Sequence, residues 1–135
     1  MPARWRCATV PAMAVRSTAA RLAADRRGHR AETIAAWWLR LHGYRIVAQR
    51  VRTHVGEIDL IARRGKVLAF VEVKARDRLD NALAALHPAA MTRIAAAANT
   101  LTERYGRGCT TFRIDAVIIV RGQWPRHYRN IWRGE

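Results

Sequence analysis

The chain has 135 residues, half of them hydrophobic, and carries 25 Lys and Arg against 10 Asp and Glu, a formal charge of +15. That length bounds a single domain able to fold without staples, the apolar content excludes a disordered body, and no apolar run approaches the ~18 residues of a transmembrane helix. A basic field spread along the whole chain attracts polyanions, so nucleic acid is the expected partner and a membrane is not.

The first residues, "MPARWRCATVPAMAVRSTAA", are Arg-rich but interrupted by two prolines, with no apolar core of a secretory signal. They read as a loose arm over residues 1–18, ahead of one domain over 19–135. Cys7 and Cys109 are too far apart for a metal cluster and read as free thiols in a reducing cytoplasm, the expected compartment.

From about Ala19 to Leu41 the pattern is helical, with Gly28 weakening its first half. Ile34, Ala35, Trp38 and Leu41 form the expected apolar stripe, and Gly43 is the expected left-handed cap. "YRIVAQRV" (44–51) alternates as a first strand. "GEIDLIAR" (56–63) and "KVLAFVEVKA" (66–75) follow as a hairpin turning at Arg64-Gly65, and a short polar loop is expected after them. Pro88 suits the first position of a second helix, whose face is Met91, Ile94, Ala95, Ala98, Leu101 and Tyr105. "GRG" at 106–108 stops it, and "TTFRIDAVIIV" (110–120) is a buried strand. The tail "QWPRHYRNIW" reads as a helical turn or an irregular wrap. The order α-β-β-β-α-β predicts an α/β (α+β) domain with a central mixed sheet flanked by helices.

The hairpin carries the unusual chemistry. With that turn, Arg63 faces Lys66, Asp59 faces Phe70, and Glu57 faces Glu72. Side chains alternate along a strand, so Glu57, Asp59, Ile61, Leu68, Phe70, Glu72 and Lys74 share one face. Ile58, Leu60, Ala62, Val67, Ala69, Val71 and Val73 share the other, the expected core side. Asp59 and Glu72 become diagonal neighbours, roughly 7 Å apart at the backbone. Two carboxylates so close repel unless something positive lies between them. Lys74 could neutralise one, and a hard cation such as Mg²⁺ could neutralise both. The bland alternative is a solvated outer face carrying a Glu–Lys pair. Only two of the 25 basic residues are Lys, Lys66 and Lys74, and an ammonium can shift its pKa where a guanidinium cannot.

"GEIDLIAR" followed by "LAFVEVKAR" resembles the bacterial YraN-like family, described as similar to Holliday-junction resolvases and grouped with the PD-(D/E)xK nucleases of restriction-endonuclease-like fold. "AETIAAWWLRLHGYRIV", "FRIDAVIIV" and "HYRNIW" extend the likeness over about residues 28–132. The resemblance implies that Asp59 and Glu72 are metal carboxylates for Mg²⁺ or Mn²⁺, that Lys74 is the catalytic lysine, and that Glu32 adds a third metal carboxylate. Glu57 stands beside them. "PAAMTR" departs from the family, since Ala89, Ala90 and Met91 offer nothing where related nucleases supply a Gln or Lys.

Among the remaining residues, Arg113 and Asp115 read as a structural ion pair, and the five histidines show no metal-ligand spacing. Trp37 and Trp38 read as core and surface of one helix rather than as a base-stacking platform. Trp124, Tyr128 and Trp132, set among Arg126, Arg129 and Arg133, either close the core or stack on bases. The expected function is a metal-dependent endonuclease acting on DNA, resolvase-like, and a two-fold homodimer would suit a branched substrate. The rival is a non-catalytic basic DNA- or RNA-binding module that keeps the fold.

Overall fold

A computed structural model describes residues 12–132, with side chains from Thr18 onward. Its elements are α1 (Ala12–Leu41), β1 (Arg45–Thr53), β2 (Gly56–Arg64), β3 (Val67–Arg76), α2 (Leu79–Ala84), α3 (Pro88–Tyr105), β4 (Thr111–Val120) and β5 (Arg126–Tyr128). The strands form one mixed sheet in the order β1-β2-β3-β4-β5. All neighbours are antiparallel except β3 and β4, which run parallel and are joined through α2 and α3. The expected α-β-β-β-α-β core is present. Added to it are the short α2, where a loop was expected, and β5, where a turn or wrap was expected.

Both faces of the sheet are covered. On one, α1 lays Ala31, Ala35, Ala36 and Leu39 against Leu60, Ala62, Ala69, Val71 and Val117. On the other, α3 lays Met91, Ile94, Ala97, Ala98 and Leu101 against Ile61, Leu68, Phe70 and Ile114. The face expected to be solvated is therefore core along half its length. The helix contact also corrects the sequence reading. α1 buries a row of alanines and Leu39 at i, i+4 and i+8, small side chains that bring its backbone close to the sheet. Ile34 and Leu41, expected inside, are exposed. Residues 12–18, expected in the loose arm, continue the helix, which passes through Gly28 unbroken. The rest of that arm, with Cys7, lies outside the described residues, and Cys109 carries a free thiol.

The hairpin turn sits one residue later than expected, at Gly65-Lys66, because Arg64 pairs with Val67. Gly65 has φ +59°, the conformation that the first central position of a II′ hairpin turn demands of a glycine. Moving a turn by one residue changes the sum of paired positions by two, so every side chain keeps its face while its partner changes.

The C-terminal segment is tied down by one buried carboxylate. Asp115 is fully buried and accepts four groups: Arg113 Nε and Nη2, each at 2.9 Å, His127 Nε2 at 2.8 Å and the Asn130 N–H at 2.9 Å. Arg113 also bonds the Tyr44 hydroxyl, just beyond α1. The expected ion pair is thus the centre of a network joining β4, β5 and the segment between α1 and β1. Burial alone would raise the Asp115 pKa, but the donors from His127, Arg113 and Asn130 outweigh it and hold the carboxyl below its ordinary value.

Asp115→Ala leaves a mostly buried guanidinium without its partner, so it should cost about 3–5 kcal/mol in urea unfolding. Because the folded pKa is depressed, this stabilisation is present above the unfolded value, about 4, and is lost as pH falls through the folded one. The gap between wild type and variant should be wide at neutral pH and should narrow in acid.

Candidate active site

β2 and β3 stay paired from the turn to Leu60↔Val71, and there the register ends although both strands run on. Leu60 packs under α1, whereas Ile58, two positions earlier, packs with α3. Residues two apart in a regular strand share a face, so the β2 backbone changes orientation through Asp59. In β1 the matching residue is Arg50. The β1–β2 register runs Gln49↔Leu60, then Val51↔Ile58, with neither Arg50 nor Asp59 among the paired positions. Arg50 has φ +52°, a left-handed conformation uncommon outside glycine.

Asp59 occupies this parting of the strands. Its Oδ2 accepts the Val73 N–H at 2.9 Å, a side chain standing in where the ladder has stopped. Continuing the register sets Asp59 directly across from Glu72 rather than diagonal to it. Burial, then the neighbouring Glu72 charge, push the Asp59 pKa up to about 7; Glu32 adds to the rise and the Val73 N–H opposes it.

Glu72 is buried within β3, and Lys74, two residues on and on the same face, places Nζ 2.9 Å from its Oε1. Glu32 reaches in from α1, with Oε2 2.5 Å from Arg50 Nε. Asp59, Glu72 and Lys74 are therefore brought together, and Glu32 stands near enough for its charge to act on Asp59. Glu57 is not part of the group. The corrected register removes it from Glu72, and it lies exposed, 3.5 Å from Arg52 Nε.

Arg50 was missed by sequence reasoning. Val47, Ala48 and Val51 do not alternate, and that broken period was the only signal of an irregular strand whose residue 50 could turn toward α1. At the start of α3, Met91 is buried and the His87 ring accepts the Ala90 N–H as the helix cap. Ala89, Ala90 and Met91 bring no polar group, as the sequence implied. Trp38 is half-buried rather than core, and Trp37 is exposed.

The donor set suits a hard divalent cation. It is all oxygen, and burial together with the neighbouring Glu72 charge pushes the Asp59 carboxyl up to about 7. Among the described residues no three His, Cys, Asp or Glu side chains form a group able to hold a metal ion by themselves. Two carboxylates are nonetheless the usual protein share for Mg²⁺, which keeps several of its waters.

Fold and site together define a class: a mixed α/β sheet between helices, in line with a nuclease-like core, with acidic residues where two central strands part. The chain belongs to the uncharacterised protein family UPF0102, whose family model matches residues 31–119. That span runs from the first residue α1 lays on the sheet into β4 and includes Glu32, Asp59, Glu72 and Lys74. A UPF0102 protein of Sphingopyxis alaskensis is 50% identical over 113 residues, covering 84% of this chain and 97% of its own. One from Rhizorhabdus wittichii is 50% identical over 115 residues, with 85% and 98% covered. One from Mesorhizobium japonicum is 49% identical over 125 residues, with 90% and 98% covered. The family relation anticipated from the hairpin holds over most of the chain.

A carboxyl whose pKa rises from 3.8 to about 7 on folding stabilises the fold in acid and loses that contribution as pH climbs through the window between. Asp59→Asn keeps the shape without the charge. In chelator, its melting temperature should match wild type only below about pH 4, pull ahead as pH climbs through the window up to about 7, and keep that lead above it. Added Mg²⁺ should raise the melting temperature of wild type and leave the variant unmoved.

Proposed function

We propose that this protein is a divalent-metal-dependent endonuclease that hydrolyses phosphodiester bonds in DNA, with a branched, resolvase-like substrate. The observation that carries the reading is the meeting of Asp59 and Glu72 at the strand parting, with the Lys74 ammonium 2.9 Å from Glu72. Asp59 and Glu72 would hold Mg²⁺ or Mn²⁺, with Glu32 as a further carboxylate, and such an ion supplies a polarised phosphoryl oxygen and a bound water of lowered pKa.

The chain's own groups do the rest. The Val73 N–H fixes the Asp59 carboxylate, so its orientation costs nothing at the moment of reaction. Lys74 is placed to orient the attacking water or to balance charge growing on the phosphoryl oxygens. Arg50 holds Glu32, and the +15 field draws the polyanion in.

One observation favours the non-catalytic reading. Lys74 and Arg50 already pair with Glu72 and Glu32, so two of the three carboxylates are balanced without a cation. Single-turnover cleavage of branched and linear DNAs with Mg²⁺ or Mn²⁺ separates the readings. Asp59→Asn should abolish cleavage yet keep or improve DNA affinity. Lys74→Ala should slow cleavage by about 10²-fold or more, and Lys74→Arg should rescue poorly. Equal cleavage by wild type and Asp59→Asn would leave only the binding module. DNA affinity itself should fall steeply with salt, with a log–log slope of roughly −5 for six neutralised phosphates; a flat response would count against both readings.

A further inference from the structure

The face of α1 opposite the sheet is uncovered and carries large apolar side chains. Ile34, Trp37 and Leu41 recur at i, i+3 and i+7 and are 45%, 60% and 77% exposed. Trp124, in the loop between β4 and β5, is 81% exposed, and its ring lies 6.0 Å from that of Trp38 at a tilt of 34°. The half-buried Trp38 follows Trp37 in the helix and adjoins Trp124 in the loop, so exposed rings stand on either side of it in Trp37 and Trp124. Large apolar side chains gathered on one uncovered helix face mark an interaction site.

The charge around it says what it meets. The Arg40 guanidinium sits 5.2 Å above the Trp37 ring. Arg27 and Arg30 precede Ile34 by seven and four residues, so they extend the same helix face, and both are exposed. Arg126 and Arg129, also exposed, follow Trp124 in the chain. A second copy is disfavoured on this face, because two chains of +15 would meet arginine against arginine. A polyanion with flat, apolar faces is complementary in both respects. Duplex DNA hides its base faces in the stack and offers only phosphates, whereas an unpaired strand offers both.

We propose that the outer face of α1, with Trp124, binds single-stranded DNA by stacking unpaired bases on Trp37 and Trp124 while the flanking arginines take the phosphates. The DNA acted on then carries an unpaired segment. This rests on the nucleic-acid part of the function proposed above and not on the carboxylate chemistry.

The test is equilibrium binding in chelator, so that hydrolysis plays no part. A short labelled oligothymidylate, a blunt duplex and the matching oligouridylate are compared on wild type, Trp37→Ala, Trp124→Ala and Trp37→Phe. The oligothymidylate should quench tryptophan fluorescence, and each alanine variant should weaken its binding by on the order of tenfold. Duplex affinity should barely move, and Trp37→Phe should recover most of the loss because it keeps a ring. Circular dichroism of the variants should be unchanged, since both side chains lie in solvent. Equal losses on single strand and duplex, or no loss on either, would overturn the proposal. So would tighter binding of the oligouridylate, or sedimentation showing a dimer that Trp37→Ala dissociates. Cleavage is read separately, so a chain that stacks single strands but never cuts sinks the nuclease and leaves this inference standing.

Discussion

The site depends on the place where β2 leaves β3. Up to Leu60↔Val71 the two strands satisfy one another's backbone, and past it Asp59 takes over by accepting the Val73 N–H. A buried N–H left without a partner is costly, so an acceptor at this parting has structural value. An aspartate reaches it with a short side chain and brings a charge as well. That charge is what burial and Glu72 push toward neutral pH. One residue therefore extends the sheet's hydrogen bonding past the parting and brings a charge to a buried place beside Glu72.

The remaining charges fall into two kinds by geometry. Arg113 sits in a fixed fork on Asp115, with Tyr44 and His127 completing the set, and no buried side-chain polar atom among the described residues lacks a partner. Arg50 performs a similar task at the edge of the site, holding Glu32 from a strained backbone position. Such positions persist only when their surroundings over-determine them and cluster where function needs them. Against this arginine scaffolding, the single lysine at the site, Lys74, is the compact cation beside Glu72. A rigid planar fork serves holding, whereas an ammonium is a compact point charge on a flexible stem.

The hairpin was legible because its period is two and its parity survives errors of the turn. The turn lies one residue later than the sequence implies, yet Asp59, Glu72 and Lys74 keep a common face, since moving the turn changes partners and not faces. What parity could not survive was the change of orientation through Asp59. Ile58 and Glu57 were assigned by alternation that stops holding there, and Glu57 consequently belongs to Arg52. The helix failed for another reason. Periodicity points to a stripe of the largest apolar residues, but close packing on a sheet favours small ones, and Ala31 and Ala35 are buried where Ile34 and Leu41 are exposed. Nothing in the order of residues distinguishes a large apolar side chain kept for the core from one kept for a partner; only the covered face does.

That error about α1 shows how the helix works. Glu32 and Ile34 are two residues apart and so point to widely separated sides of it. Glu32 turns toward Arg50 and the carboxylates, and Ile34 toward solvent with Trp37 and Leu41. The row of Ala31, Ala35 and Leu39 fixes the rotation of the helix, because that is the face seated against Leu60, Ala62 and Val71. Turning α1 by one residue, about 100°, would bury a tryptophan against the sheet and withdraw Glu32 from Arg50. The same packing thus sets both the inward carboxylate and the outward aromatic face. A substitution that enlarges Ala35 should disturb both together, though it touches neither.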